Sequence, residues 1–138
     1  MLISPYRDDQ FEGVRQLWDT VFPDDPPRNR AATAIPAKLQ VQPELFIIAE
    51  EQGEVLGTIM AGYDGHRGWL YAVAVKPDRQ GMGIGKALVK EAERRLSALG
   101  CSKVNLQVRS TNKVVVGFYR SLGYAVEERV SMGKQLSS

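Results

Sequence analysis

Between residues 69 and 108 the sequence holds one unit that few folds can house. An apolar run closed by Lys76-Pro77 leads into a turn carrying Gly81, Gly83 and Gly85, then an amphipathic helix, then a second apolar run. A strand, a crossover helix and a strand in that order make a parallel pair in one sheet. The helix is predicted over residues 83–99, with Ile84, Leu88, Ala92, Leu96 and Leu99 on one face and Lys86, Lys90, Glu93 and Arg94 on the other; Gly100 stops it.

Around this unit the pattern predicts strands at residues 2–6, 45–50, 55–63, 69–75, 104–108, 124–126 and 130–136. Glu51-Gln52-Gly53-Glu54 joins the second and third as a hairpin. Helices are expected after Asp8 or Asp9 as cap, with Phe11, Val14, Leu17, Trp18 and Val21 on the apolar face, weakly over residues 29–39, and over residues 112–122. The prolines of Phe22-Pro23-Asp24-Asp25-Pro26-Pro27 make that stretch a loop. The fold class is therefore α/β (α+β): a central mixed, twisted sheet of six to seven strands flanked by about four helices.

A chain of 138 residues, 43% hydrophobic and 25% charged, reads as one domain with a core large enough to stand without staples. Its lone Cys101 and lone His66 argue against a disulfide scaffold and against a metal site, and fit a cytoplasmic protein. No apolar run approaches the ~18 residues of a membrane span. The +2 net charge is spread along the chain, so neither a nucleic acid nor a membrane surface is an expected partner.

The glycine turn is a phosphate cradle by its chemistry, because glycines admit an anion close to the backbone and the first N–H groups of a helix point at it. A P-loop would need glycine at position 80, which is Gln80, and Ser or Thr after Lys86, which is Ala87. A dinucleotide fingerprint would need its third glycine at Lys86. A ligand-free connector would look alike in sequence.

What remains, Gln80-x-x-Gly83-x-Gly85, closely resembles the coenzyme A pyrophosphate loop of the GNAT N-acetyltransferase superfamily. Asn112 followed by Phe118-Tyr119-Arg120-Ser121-Leu122-Gly123-Tyr124 is similar to that family's second signature. The order of elements also resembles the whole GNAT fold, so the likeness spans residues 1–138 as a single domain. Through Gly62-Tyr63-Asp64-Gly65-His66-Arg67-Gly68 the chain looks most like the bacterial YpeA-type acetyltransferases.

The resemblance implies an enzyme that moves the acetyl group of acetyl-CoA directly to a primary amine of a small molecule or a peptide, without a metal. It implies that Val73, Ala74 and Val75 hold the cosubstrate by their main chain, one N–H meeting the thioester oxygen. Gln80, Gly81, Met82, Gly83, Ile84, Gly85 and Lys86 take the pyrophosphate. Asn112 takes the pantetheine arm or simply caps its helix, and Phe118 and Tyr119 line the channel. Tyr119 matches the general acid, although a tyrosine packed in the core would read the same.

The base is not carried over. Relatives place glutamates where this chain has Trp69 and Gln107. Asp64 and His66 are left, with Tyr63 or Tyr71 acting through water. The missing carboxylates support a different class of protein, a coenzyme A-binding sensor or partner module with little catalysis. Asp24 and Asp25 border the acceptor side in this family's fold and suggest a cationic acceptor, or are merely solvated. A monomer or a homodimer is expected.

Overall fold

The computed structural model describes residues 1–137, which divide at Gln107 into two compact parts. The first carries a five-stranded sheet of β1 (Leu2–Pro5), β2 (Phe46–Glu51), β3 (Glu54–Tyr63), β4 (Gly68–Val75) and β5 (Val104–Leu106), in that spatial order. All neighbours are antiparallel except β4 and β5, which run parallel as the crossover unit requires. Three α-helices belong to this part: α1 (Phe11–Val21), α2 (Ala31–Lys38) and α3 (Ile84–Ala98). The second part holds α4 (Lys113–Ser121).

The sheet has five strands, not six to seven. Residues 124–126 and 130–136 alternate apolar and polar side chains, but they form no strand here, and Val126, Val130, Met132 and Leu136 stay exposed. Alternation prepares a face; a strand also needs a partner backbone to bond. A second correction concerns the entry to α1. Neither Asp8 nor Asp9 caps it: Asp8–Gln10 is a 3₁₀ turn in which the Arg7 N–H donates to Gln10 Oε1 at 2.8 Å. The Gln10 amide and the Arg7 guanidinium then reach Glu50 at 2.9 and 3.1 Å, tying the turn to β2 and holding the Glu50 carboxyl below its usual range.

The period-2 alternation of the strands decides which helix each face receives. Phe46, Ile48, Met60 and Ala74 pack with Val14, Leu17 and Trp18 of α1 and Ala31 and Ile35 of α2. The alternate residues face α3, whose Ile84, Leu88, Val89, Ala92 and Leu96 are buried. At Gln52 (φ 51°) and Gly53 (φ 80°) both central residues of the β2–β3 turn are left-handed, the conformation that matches a hairpin's twist.

Gly57 of β3 sets how closely α3 approaches. A Cβ there would lie 2.9 Å from both the Ala74 carbonyl oxygen and Leu88 Cδ1, and 3.2 Å from Ile84 Cγ2. Gly57→Ala is therefore expected to push the first turns of α3 outward and to cost about 1–3 kcal/mol, as overpacking does. Urea denaturation measures this directly; an unchanged midpoint would mean that α3 has room to spare.

Beyond its pairing with β2, which ends at Met60, the edge of β3 is finished by side chains. Buried Lys38 donates from Nζ to the Ala61 carbonyl at 2.6 Å and lies 5.8 Å from the Tyr71 ring centre. The Gln42 amide pairs with Tyr63 as a strand would, accepting from its N–H at 2.9 Å and donating to its carbonyl at 3.0 Å. Burial pushes the Lys38 ammonium below its usual pKa.

Candidate active site

In the first part of the chain the site is built around an irregularity in β4. Thr58 pairs with Ala74, but Met60 pairs with Tyr71, so Ile59 faces two residues, Ala72 and Val73. This is a β-bulge. Ala72 takes φ 51°, a left-handed conformation that costs an L-residue roughly 1–2 kcal/mol. The bulge resets the alternation, so Tyr71 and Ala74, three residues apart, both lie toward the α1 and α2 side.

The carbonyl of Ala72 is held from β3. Thr58 Oγ1 donates to it at 2.9 Å and accepts from Trp18 Nε1 at 2.9 Å. Thr58 is fully buried and Trp18 is 3% exposed. An indole N–H can only donate, so the hydroxyl proton is left for Ala72, and the direction of the chain is fixed.

Downstream of Val75 the backbone enters the glycine turn. Gly81 and Gly83 have φ 80° and 84°, and a Cβ at either would meet nothing within 4 Å. Glycine is required by the backbone there, while the space outside it is open. Gln80 Nε2 donates to the Val75 carbonyl at 3.2 Å, fastening the turn to the end of β4. Gly83 is the N-cap of α3 and no side chain caps the helix, whose first turn carries no acidic residue. Ile84 is buried as the anchor of the helix, whereas Met82 and Lys86 are exposed. An open concavity of main-chain N–H groups at the positive end of a 15-residue helix fits a pyrophosphate. The bulged stretch from Ala72 to Val75 fits an extended arm. The residues present thus suit coenzyme A.

The loop between β3 and β4 carries the two candidate bases. Asp64 Oδ1 accepts from the amides of Arg67 and His66 at 2.6 and 2.7 Å, which holds its carboxyl below the usual range. Its Oδ1 thereby shapes the turn. His66 is exposed, with Arg67 Nη1 3.4 Å from its Nδ1. Tyr71, the group considered through water, is 44% exposed, and burial of the rest of its ring raises its pKa.

In the second part, Asn112 is the N-cap of α4, its Oδ1 accepting from the Val115 N–H at 3.3 Å. Tyr119 is buried, with Phe118 and Tyr124 edge-on to its ring at 5.0 and 5.7 Å. Burial pushes its hydroxyl up to about 12.

The model of the acetyltransferase (GNAT) family matches residues 11–124. The chain belongs to the GNAT acetyltransferase family. An acetyltransferase of Pectobacterium atrosepticum is 42% identical to it over 140 residues, covering 99% of this chain and 96% of that protein. Among solved structures, the aminoglycoside N-acetyltransferase AAC(6')-Iy in complex with a bisubstrate analogue superposes with a TM-score of 0.81 at 20% identity, covering 99% of this chain and 98% of that one. Chaetomium thermophilum Naa20, also with a bisubstrate analogue, gives 0.76 at 26% identity, covering 91% and 72%. The mixed sheet and its four α-helices are thus the fold of GNAT enzymes, and this chain is an acetyltransferase of that family.

Three residues that shape this candidate site were not singled out from the sequence as functional: Gly57, Thr58 and Trp18. Thr58 did leave a signal. It is the only hydroxyl before Tyr63 in the run Val55-Leu56-Gly57-Thr58-Ile59-Met60-Ala61-Gly62. A buried polar group in such company demands a partner.

Proposed function

We propose that the whole chain works as one domain that transfers the acetyl group of acetyl-CoA directly to a primary amine of a small molecule or a peptide. The observation that carries this reading is the bulged β4 running straight into an open glycine turn at the uncapped start of α3. When bound, acetyl-CoA supplies the activated thioester.

The chain's own groups do the rest. Main-chain groups of Val73, Ala74 and Val75 hold the extended arm, and the Val73 N–H donates to the acyl oxygen. N–H groups from Gly81 through Lys86 hold the pyrophosphate, with Gln80 fixing the turn. In the second part, Asn112 and Phe118 serve the arm, and Tyr119 keeps its proton at Oη to donate to sulfur. Asp64 is held in its turn, so proton removal from the amine falls to water ordered near Asp64, His66 or Tyr71. The aminoglycoside N-acetyltransferase that shares the fold is in keeping with an amine acceptor in general and no particular one. The lone Cys101 is consistent with the cytoplasm, and a monomer or a homodimer would serve the reaction.

The locked Asp64, together with Trp69 and Gln107 where relatives carry glutamate, favours one rival, a module that binds coenzyme A and catalyses little. Acetyl-CoA should raise the melting temperature in either case. Thiol release with a panel of amino acids, polyamines, aminoglycosides and N-terminal peptides decides: turnover with one class supports the enzyme, and silence across the panel supports the module.

Among the described residues no ion pair engages Asp24 or Asp25, whereas the neighbouring Asp19 is engaged by Arg15 and Arg30. If these two carboxylates attract a protonated amine, replacing both with Asn raises the amine KM severalfold at low salt and less at high salt, leaving the acetyl-CoA KM unchanged. An unchanged amine KM at low salt makes them ordinary solvated residues.

A further inference from the structure

We infer that Thr58, backed by Trp18, is a positioning residue that aims the Val73 N–H at the acyl carbonyl of the cosubstrate. The inference rests on the acetyl-CoA reading given above and adds to it two side chains that touch neither substrate. It starts from the peptide between Ala72 and Val73. That unit is planar and trans, so its C=O and N–H point in opposite directions. Whatever holds the Ala72 carbonyl also sets the aim of the Val73 amide.

The holder is the Thr58 hydroxyl at 2.9 Å. A free hydroxyl could rotate and offer its proton elsewhere. Here the Trp18 indole, 2.9 Å away, occupies an acceptor position of that oxygen and cannot itself accept. The hydroxyl and the indole sit where water does not compete, with Thr58 at 0% exposure and Trp18 at 3%, while Ala72 is half-buried. The relay therefore has one proton arrangement.

The bulge needs such a restraint. Ala72 is not a glycine, yet it has φ 51°, and regular pairing of β3 with β4 would relieve that strain by turning the peptide back into the ladder. A carbonyl pinned by a buried hydroxyl opposes this. The energy stored at Ala72 is thus spent on presenting an N–H that a regular strand would not present in that direction. Pre-aimed donors of this kind act where charge gathers on a carbonyl oxygen, with no reorganisation at the moment of reaction.

The relay could instead do no more than satisfy a buried indole and a half-buried carbonyl, and the experiment separates the two roles without relying on turnover. Acetyl-CoA and free coenzyme A differ by the acyl group alone, so the ratio of their affinities reports the contact at the acyl oxygen. Titration calorimetry with each would be run on the wild type, Thr58→Val, Thr58→Ser and Trp18→Phe.

For Thr58→Val, the preference for acetyl-CoA over coenzyme A should fall about fivefold, the size of one hydrogen bond, with coenzyme A affinity within about twofold of wild type. Thr58→Ser should restore the preference. The Val73 amide resonance should shift in the free Val variant and return in the Ser variant. Trp18→Phe should keep most of the preference, because Thr58 still reaches Ala72. If Thr58→Val does not fold, Thr58→Ala carries the same expectation.

The inference is overturned if the ratio is unchanged in a folded Val or Ala variant, or if Ser shows the same loss as Val. If wild type binds both molecules but acetylates no amine, the proposed catalysis fails while the affinity ratio still decides the relay.

Discussion

Gly83→Glu is expected to abolish measurable acetyl-CoA binding, weakening it at least 100-fold, while the circular dichroism of the chain stays close to wild type. Two causes add. The φ of 84° at Gly83 strains any L-residue, by roughly 1–2 kcal/mol, and a carboxylate placed there projects into the open space proposed for the phosphates. Gly83→Asn separates them, because asparagine tolerates the left-handed region and carries no charge. Its binding loss should stay within about tenfold. Gly85→Asp should resemble Gly83→Glu, since it puts the same charge in the first turn of α3. Calorimetry that returns wild-type affinity for both charged variants would refute the pyrophosphate assignment.

Tyr119→Phe is expected to lower kcat by about 100-fold or more with the acetyl-CoA KM within about twofold, because one hydroxyl is lost and little volume. Thiol release from acetyl-CoA reads both constants. A channel-lining tyrosine would give a small change in each, and equal kcat values would dismiss the acid role. The pH dependence gives an independent check. With its hydroxyl pushed up to about 12, Tyr119 stays protonated through the whole neutral range. Its deprotonation would remove the acid only as pH rises toward that value, so wild type should show no falling limb from this group below about pH 11. An alkylamine acceptor, with a pKa of about 10.4, gives the opposite trend: the rate rises with pH as the free amine accumulates.

The elements governed by local chemistry were legible. The glycine turn could be read because positive φ at positions 81 and 83 is a property that glycine advertises by itself. The crossover from β4 through α3 to β5 followed from a change of hydrophobic period within one stretch of chain. The two closing strands were overcounted for the converse reason, since alternation at residues 124–136 says which side is apolar and nothing about a partner edge.

The bulge was the least legible feature of the site. Ala72 is an ordinary strand residue by composition, and the groups that hold its carbonyl come from Thr58, 14 residues away, and behind it Trp18, a further 40. No window on the local sequence contains that cause. Asp64 illustrates the same limit: the sequence shows a loop carboxylate beside a histidine, and only the fold shows the amides of His66 and Arg67 bonded to its Oδ1.

The finishing of β3 by Lys38 and Gln42 has a bearing on how the chain behaves in a crowded solution. A bare stretch of backbone at Ala61 and Tyr63 would be a template on which a stranger's strand could align, the first step of aggregation. Two polar side chains, Lys38 at the end of α2 and Gln42 just beyond it, close it, one as a plug on a single carbonyl and the other as a false strand one residue long. They deny a docking edge to other chains at the end of β3, one residue before the turn that carries Asp64, so the approach to that loop stays open to small molecules and closed to strands.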